Sequence, residues 1–249
     1  MSQSELNISR IVQGQLEWMN RSYFYRGELL TRFWSQLRRQ PQWRELIHQL
    51  DGGLHTEATL HSLLQAQLRN VESTFAEPLV LSGITGERNT LSCTGKGLVL
   101  LRITSQTSVA AALLAFQGAL LTGNALLVQT DLKWSALFSL LENQLEQVIP
   151  DLCLIQQLAL TQQESVLQHP DLAAVVYLGQ EPDSRVLNRL LALRVTSIIS
   201  PMVESDALNL SLVAGIDYLF GLVTERTQTI NLTAIGGNTS LMEQGASRY

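Results

Sequence analysis

The sequence predicts an α/β protein built on a doubly wound parallel sheet, with a helical segment ahead of it. Three observations carry this. From Gly97 onward, short apolar β-branched runs alternate with longer stretches of helical period. Those runs are apolar almost without interruption, as strands covered on both faces must be. Residues 7–74 instead show only the 3.6-residue period, with Leu16, Met19, Tyr23, Leu30, Phe33 and Leu37 on one side.

Within the helical segment, Pro41 interrupts the first pattern, residues 43–50 resume it, and Asp51-Gly52-Gly53 ends it. Thr56 opens a further helix with Leu60, Leu63, Leu64 and Leu68 together. The aromatics Trp18, Tyr23, Tyr25, Phe33, Trp34 and Trp43 are concentrated here, which suits docking onto the next unit. Residues 75–89 read as an extended linker. Gly95-Lys96-Gly97 reads as a hairpin turn between strands at 90–94 and 98–104.

The alternating series follows. A strand at 98–104 leads to an Ala/Leu-rich helix at 107–121 that stops at Gly123-Asn124. A strand at 125–129 precedes a helix at 132–148, which Asp131 could cap and Pro150 ends. Strands are expected at 152–156, 173–178 and 195–200, with helices at 164–168 and 182–193 between them. Right-handed crossovers then wind the sheet on both sides. Near the end of the chain, 227–232 alternate polar and apolar residues like a strand with one buried face, and Gly236, Gly237 and Asn238 break it. The expected organisation is a helical segment at 1–77, a Rossmann-like domain at 78–224, and a terminal strand and tail at 225–249.

Composition excludes several classes. A net charge of −5 over 249 residues argues against a nucleic-acid binder, whose affinity rests on clustered Lys and Arg. Arg32, Arg38, Arg39 and Arg44 read as a solvated helix face. No apolar run is long enough to span a bilayer. Cys93 and Cys153 have neither ligand nor disulfide spacing, which fits a reducing cytoplasm. His48, His55 and His61 share no helical face across the Gly-Gly break, so no metal site is expected. With 45% hydrophobic and only 16% charged residues, some apolar surface is expected to meet a partner.

Two separated motifs carry a family resemblance. The terminal run, with Ile230 and Leu232 in the strand, then Gly236-Gly237-Asn238 and Ser240-Leu241-Met242, resembles the extreme C-terminus of the bifunctional proline-utilisation A flavoenzymes, PutA. Residues 83–90, Gly-Ile-Thr-Gly-Glu-Arg-Asn-Thr, are similar to the sequence that opens the same region of that family; Thr85, Gly86, Glu87, Arg88 and Asn89 are its core. The resemblance spans about 79–245 and implies the nucleotide-domain architecture of aldehyde dehydrogenases.

What it implies about chemistry is mostly loss. The family's cofactor lysine position reads Gln129, followed by Thr130 and Asp131; its Thr-Gly-Ser loop reads Leu178-Gly179-Gln180, followed by Glu181. An acid at a helix N-terminus opposes a pyrophosphate there. Neither cysteine has the surroundings of the family's nucleophile, and both read as inert structural residues. Glu87 and Arg88 read as a local ion pair or backbone clamp. The expectation is a non-catalytic interaction protein linked to proline catabolism, with no cofactor, or NAD if any. Its partner would be a second copy or a proline-catabolic dehydrogenase chain, and its contact Ile230, Leu232, Gly236, Gly237, Asn238 and Leu241, with the terminal strand adding to a sheet edge of its own domain, of a second copy or of the separate enzyme. The alternatives are an NAD-dependent pyrroline-5-carboxylate or aldehyde dehydrogenase, whole or in part, and a nucleotide sensor that catalyses nothing.

Overall fold

The computed structural model describes residues 7–83, 86–206 and 208–232. Helices α1 (Ile8–Met19), α2 (Tyr23–Leu37), α3 (Pro41–Asp51) and α4 (Glu57–Phe75) come first. Strand β1 (Leu79–Leu81) and the longer β2 (Glu87–Gly95) lie within and just beyond the stretch expected to be a linker. The alternating part is β3 (Leu98–Ile103), α5 (Val109–Leu121), β4 (Ala125–Thr130), α6 (Leu132–Val148), β5 (Ile155–Gln157), α7 (Gln163–Leu167), β6 (Leu172–Leu178), α8 (Glu181–Ala192) and β7 (Met202–Glu204). Helix α9 (Ile216–Gly221) and strand β8 (Val223–Asn231) follow.

The main sheet is parallel, in the order β5-β4-β3-β6-β7. The chain starts at the centre with β3, moves outward one way through β4 and β5, then returns to β6 and β7 on the other side. Right-handed crossovers therefore place α5 and α6 on one face and α7 and α8 on the other. This is the doubly wound sheet that the sequence predicts.

Helix α5 is the hub. It is apolar on every side, and all thirteen of its residues are buried, because the sheet covers one side and α2, α3 and α4 cover the other. Its last-turn carbonyls have no partners within the helix. The backbone amides of residues 122–124 close Gly118 O, Ala119 O and Leu120 O, and side chains from the N-terminal helices add to them: Trp18 Nε1 donates to Leu120 O at 2.8 Å and Arg26 Nε to Leu121 O at 2.8 Å, while Gln15 Nε2 reaches Gly123 O just beyond at 3.0 Å. A single hydrophobic cluster consequently runs from Ile11 through the sheet to Val223.

Three sequence expectations fail here. Residues 95–97 do not form a hairpin, because β2 and β3 belong to different sheets: β2 pairs antiparallel with β1 and β8. A Cβ on Gly95 would stand 2.7 Å from the Gly123 carbonyl, and Gly97 N donates to Asn124 Oδ1 at 2.9 Å, so this segment is a crossing point held by close backbone approach. The strand expected at 195–200 is a surface loop, and pairing with β6 falls instead on Met202–Glu204. Finally, β8 has no buried face: Thr224 to Asn231 are exposed on both sides.

Candidate functional site

In an open α/β sheet, the crossovers leave the central strand pair in opposite directions, and a crevice opens at the strands' C-terminal ends. Here that pair is β3 and β6. A cavity of about 330 Å³ lies there, lined by Gln106, Thr107, Gly179, Gln180, Glu204 and Ser205 among others. Two of the four expected cofactor positions, Gly179 and Gln180, line it. Gly179 is required by its neighbours: a Cβ there would meet Thr104 Oγ1 at 2.6 Å and Tyr177 OH at 2.9 Å.

The other two positions stand apart from the crevice. Thr130 ends β4 opposite Ile103. Gln129 is in register with Arg102 on β3, which is in register with Tyr177 on β6, so the three side chains share one face of the sheet. Arg102 Nη1 donates to Gln163 Oε1 at 2.8 Å, but both amide atoms of Gln129 and the Tyr177 hydroxyl are buried with no hydrogen-bond partner among the described residues. Burial, reinforced by Asp183, pushes the Tyr177 phenol up.

The rim is acidic and already committed to local bonds. Asp131 precedes α6 without making a side-chain cap; its Oδ2 accepts from Ser105 N at 2.7 Å, tying the end of β3 to the end of β4. Glu204 is buried, and its carboxylate accepts from Asp206 N, Ser211 Oγ, Leu212 N and Val213 N, which fixes the loop after β7. The first turn of α8 contributes Glu181 and Asp183. Ser108 caps α5, accepting from Ala111 N at 3.2 Å, and so uses one of the amides that helix offers.

The other polar candidates lie elsewhere. Cys93 is in β2, where Tyr23 OH donates to its carbonyl at 2.9 Å, and Cys153 precedes β5 against α1. Burial pushes both thiols up. The turn at Gly52 and Gly53, with φ of 60° and 85°, brings His48 and His55 onto one cavity with Asp51, and His55 Nδ1 lies 3.0 Å from Asp51 Oδ1. No group of three or more metal-ligating side chains occurs among the described residues, and no helix of theirs is long and apolar enough to cross a membrane.

The described parts of the two motifs, residues 87–90 and 225–231, meet in the three-stranded sheet β1-β2-β8. Glu87 is in register with Asn231, Arg88 with Ile230 and Asn89 with Thr229, whose hydroxyl donates to Asn89 Oδ1 at 2.6 Å. Gly86, at φ 93°, accepts from Leu232 N at 2.7 Å. Glu87 and Arg88 make no ion pair among the described residues, since neighbours on a strand point to opposite faces. Leu79, Val80, Ile230 and Leu232 are exposed. Thr85, Gly236, Gly237, Asn238 and Leu241 lie outside the described residues. The edge pairing was missed in part because the 79–81 strand has no local sequence signal and the strand expected at 90–94 was assigned to a hairpin with 98–104 instead of to β8.

Comparison with known proteins places this architecture. No family model and no curated protein sequence matches the chain. Among solved structures, a Bradyrhizobium japonicum proline utilization A (PutA) mutant matches 80% of this chain at 17% identity and a TM-score of 0.67. An NAD-dependent benzaldehyde dehydrogenase from Corynebacterium glutamicum matches 78% at 15% identity and a TM-score of 0.61. A 3,6-anhydro-L-galactose dehydrogenase in complex with NAP matches 79% at 17% identity and a TM-score of 0.63. The chain spans 21% of that PutA chain and 44% and 42% of the two dehydrogenases. It thus has a PutA- and aldehyde-dehydrogenase-like α/β fold.

Proposed function

We propose that this chain, with its PutA- and aldehyde-dehydrogenase-like fold, is a non-catalytic interaction protein serving proline catabolism. The observation that carries the reading is the β1-β2-β8 sheet. Strand β8 pairs with β2 on one side only among the described residues and presents both its faces to solvent. An exposed edge of this length is a template for another strand, and the apolar side chains of Ile230 and Leu232 add affinity to such pairing. The partner is a proline-catabolic dehydrogenase chain. Gly236, Gly237, Asn238 and Leu241, next in sequence, belong to the same contact.

The crevice residues do not fit a dinucleotide. Pyrophosphate needs free amides and positive charge. Here Asp131 holds the Ser105 amide, Glu181 and Asp183 occupy the start of α8, and Glu204 backs the cavity. A thioester-forming dehydrogenase also needs a thiolate at this end of the sheet; the surroundings of Cys93 and Cys153 favour the neutral thiol. The alternative, a dinucleotide-binding dehydrogenase or nucleotide sensor, has its support in Gln129 and Tyr177, whose buried polar groups a ligand could satisfy.

Sedimentation velocity of the full chain with pyrroline-5-carboxylate dehydrogenase from the same source tests the partner. A complex is expected at micromolar concentration, weakened at least about tenfold by Ile230→Lys or Gln228→Pro. Absence of a complex at roughly 100 μM, or one indifferent to both changes, refutes the proposed contact.

A further inference from the structure

Helix α2 and the end of α6 border a cavity of about 270 Å³ that shares no lining residue with the crevice or with β8. Tyr25, Leu29 and Arg32 stand four and three residues apart on α2, so they form one stripe along its wall, and Arg21 lies just before the helix. The last residue of α6 and the turn after it, residues 148–152, make the opposite wall. The base is apolar, with Trp18, Ile149 and Leu152 all buried. This geometry is held in advance of any ligand. Arg21 N donates to Trp18 O at 3.1 Å, the Arg21 carbonyl accepts from Arg26 Nη1, and the Arg21 guanidinium lies 5.4 Å from the centroid of the Tyr25 ring.

Uncompensated charge sets this cavity apart. At the cavity beside the α3–α4 turn, Arg44 pairs with Glu57 at 3.9 Å and His55 with Asp51 at 3.0 Å, so its charges answer one another. Arg21 and Arg32 make no ion pair among the described residues, although one acid, Asp151, lines the same space. In a chain of net charge −5, two unanswered guanidinia over an apolar base have the complementarity of an organic anion. The planar fork of arginine matches a carboxylate, and the base accepts an apolar body. We infer that the cavity between α2 and the end of α6 binds a small monocarboxylate, its charge held by Arg21 and Arg32 and its apolar body set against Leu29, Ile149 and Leu152. A volume below the roughly 300–1,000 Å³ of drug-sized sites limits the ligand to a short acyl or single-ring acid. Asp151 disfavours a second negative charge. The site is separate from the β8 edge, so it and the dehydrogenase contact stand or fall independently.

The test is isothermal titration of the full chain with hexanoate, with hexylamine and acetate as controls. Hexylamine keeps the apolar body and reverses the charge; acetate keeps the carboxylate and lacks the body. Hexanoate is expected to bind saturably with a Kd of about 1 mM or below, and acetate at least about tenfold more weakly. Hexylamine is expected to give no saturable heat. Arg21→Gln and Arg32→Gln, both at exposed positions that leave the fold intact by circular dichroism, each weaken hexanoate at least about fivefold, while Asp151→Asn tightens it. Arg32→Lys, which keeps the charge and loses the fork, falls between the wild type and Arg32→Gln. No saturable hexanoate binding up to roughly 10 mM overturns the inference. So does an affinity that both glutamine variants leave unchanged, or hexylamine binding as tight as that of hexanoate, which would reduce the cavity to an unselective apolar patch.

Discussion

Replacing Arg26 with leucine lowers the unfolding free energy by about 3–4 kcal/mol. The guanidinium is buried between α2 and the end of α5. Its Nε donates to Leu121 O, its Nη1 to Met19 O and Arg21 O, and it lies 4.2 Å from the centroid of the Tyr23 ring. Burial pushes its pKa down to about 10, so it remains charged at neutral pH at the negative end of α5. Leucine fills part of the volume but leaves buried carbonyls without donors. Removing the cation also relieves its desolvation cost, which is why the loss stays below the sum of the individual bonds. Lysine does not restore the wild type, since one ammonium cannot reproduce the planar fork. Urea unfolding with an unchanged m-value checks the figure; a loss under about 1 kcal/mol would mean that the guanidinium is not what closes α5.

Gln117→Leu is expected to cost about 3 kcal/mol by a different route. Gln117 accepts from Trp34 Nε1 at 2.6 Å and donates to Leu64 O at 2.9 Å and Gln67 Oε1 at 3.0 Å; Gln67 in turn donates to Leu114 O and Val213 O. This buried chain of amides joins α2, α4, α5 and the segment before α9. Removing Gln117 leaves the Trp34 indole N–H and the Gln67 side-chain oxygen unpaired. Gln67→Leu and Gln117→Leu are directly coupled, so the double variant loses less than the sum of the singles, by about 1 kcal/mol. Additive losses would show that the two amides do not act as a network.

The local parts of this architecture were legible. Helix α6 runs over residues 132–148 as its period and flanking residues indicate, and β6 ends at Leu178 as expected. What was not legible is non-local. Nothing in residues 87–95 states that their partner lies in residues 223–231, and the two glycines at 95 and 97 read as a hairpin because the sequence does not show that Gly123 stands against them. The strand expected at 195–200 and found at 202–204 shows how a loop that buries only Ile199 imitates a core strand when only composition is read. Arg26, Gln15 and Gln117 carry the docking of the helical layer through bonds to carbonyls remote in sequence, and isolated polar residues within helices give no sign of such a role.

At the crevice, the sequence pointed to the right strand ends: Gly179 and Gln180 line it, while Gln129 lies apart, on the sheet face it shares with Arg102 and Tyr177. It did not reveal that Asp131 binds the Ser105 amide, which depends on the pairing of β3 with β4, or that Glu204 is spent on its own loop, which depends on how that loop folds back.

The central claim is that this fold has given up dinucleotide binding and acts through its surfaces. Isothermal titration of the full chain with NAD⁺ and NADH up to millimolar concentration tests it most directly. The account predicts no heat beyond dilution for either nucleotide. Saturable binding abolished by Gln129→Ala or Tyr177→Phe would contradict it and assign a nucleotide site to the buried polar groups at the end of the sheet.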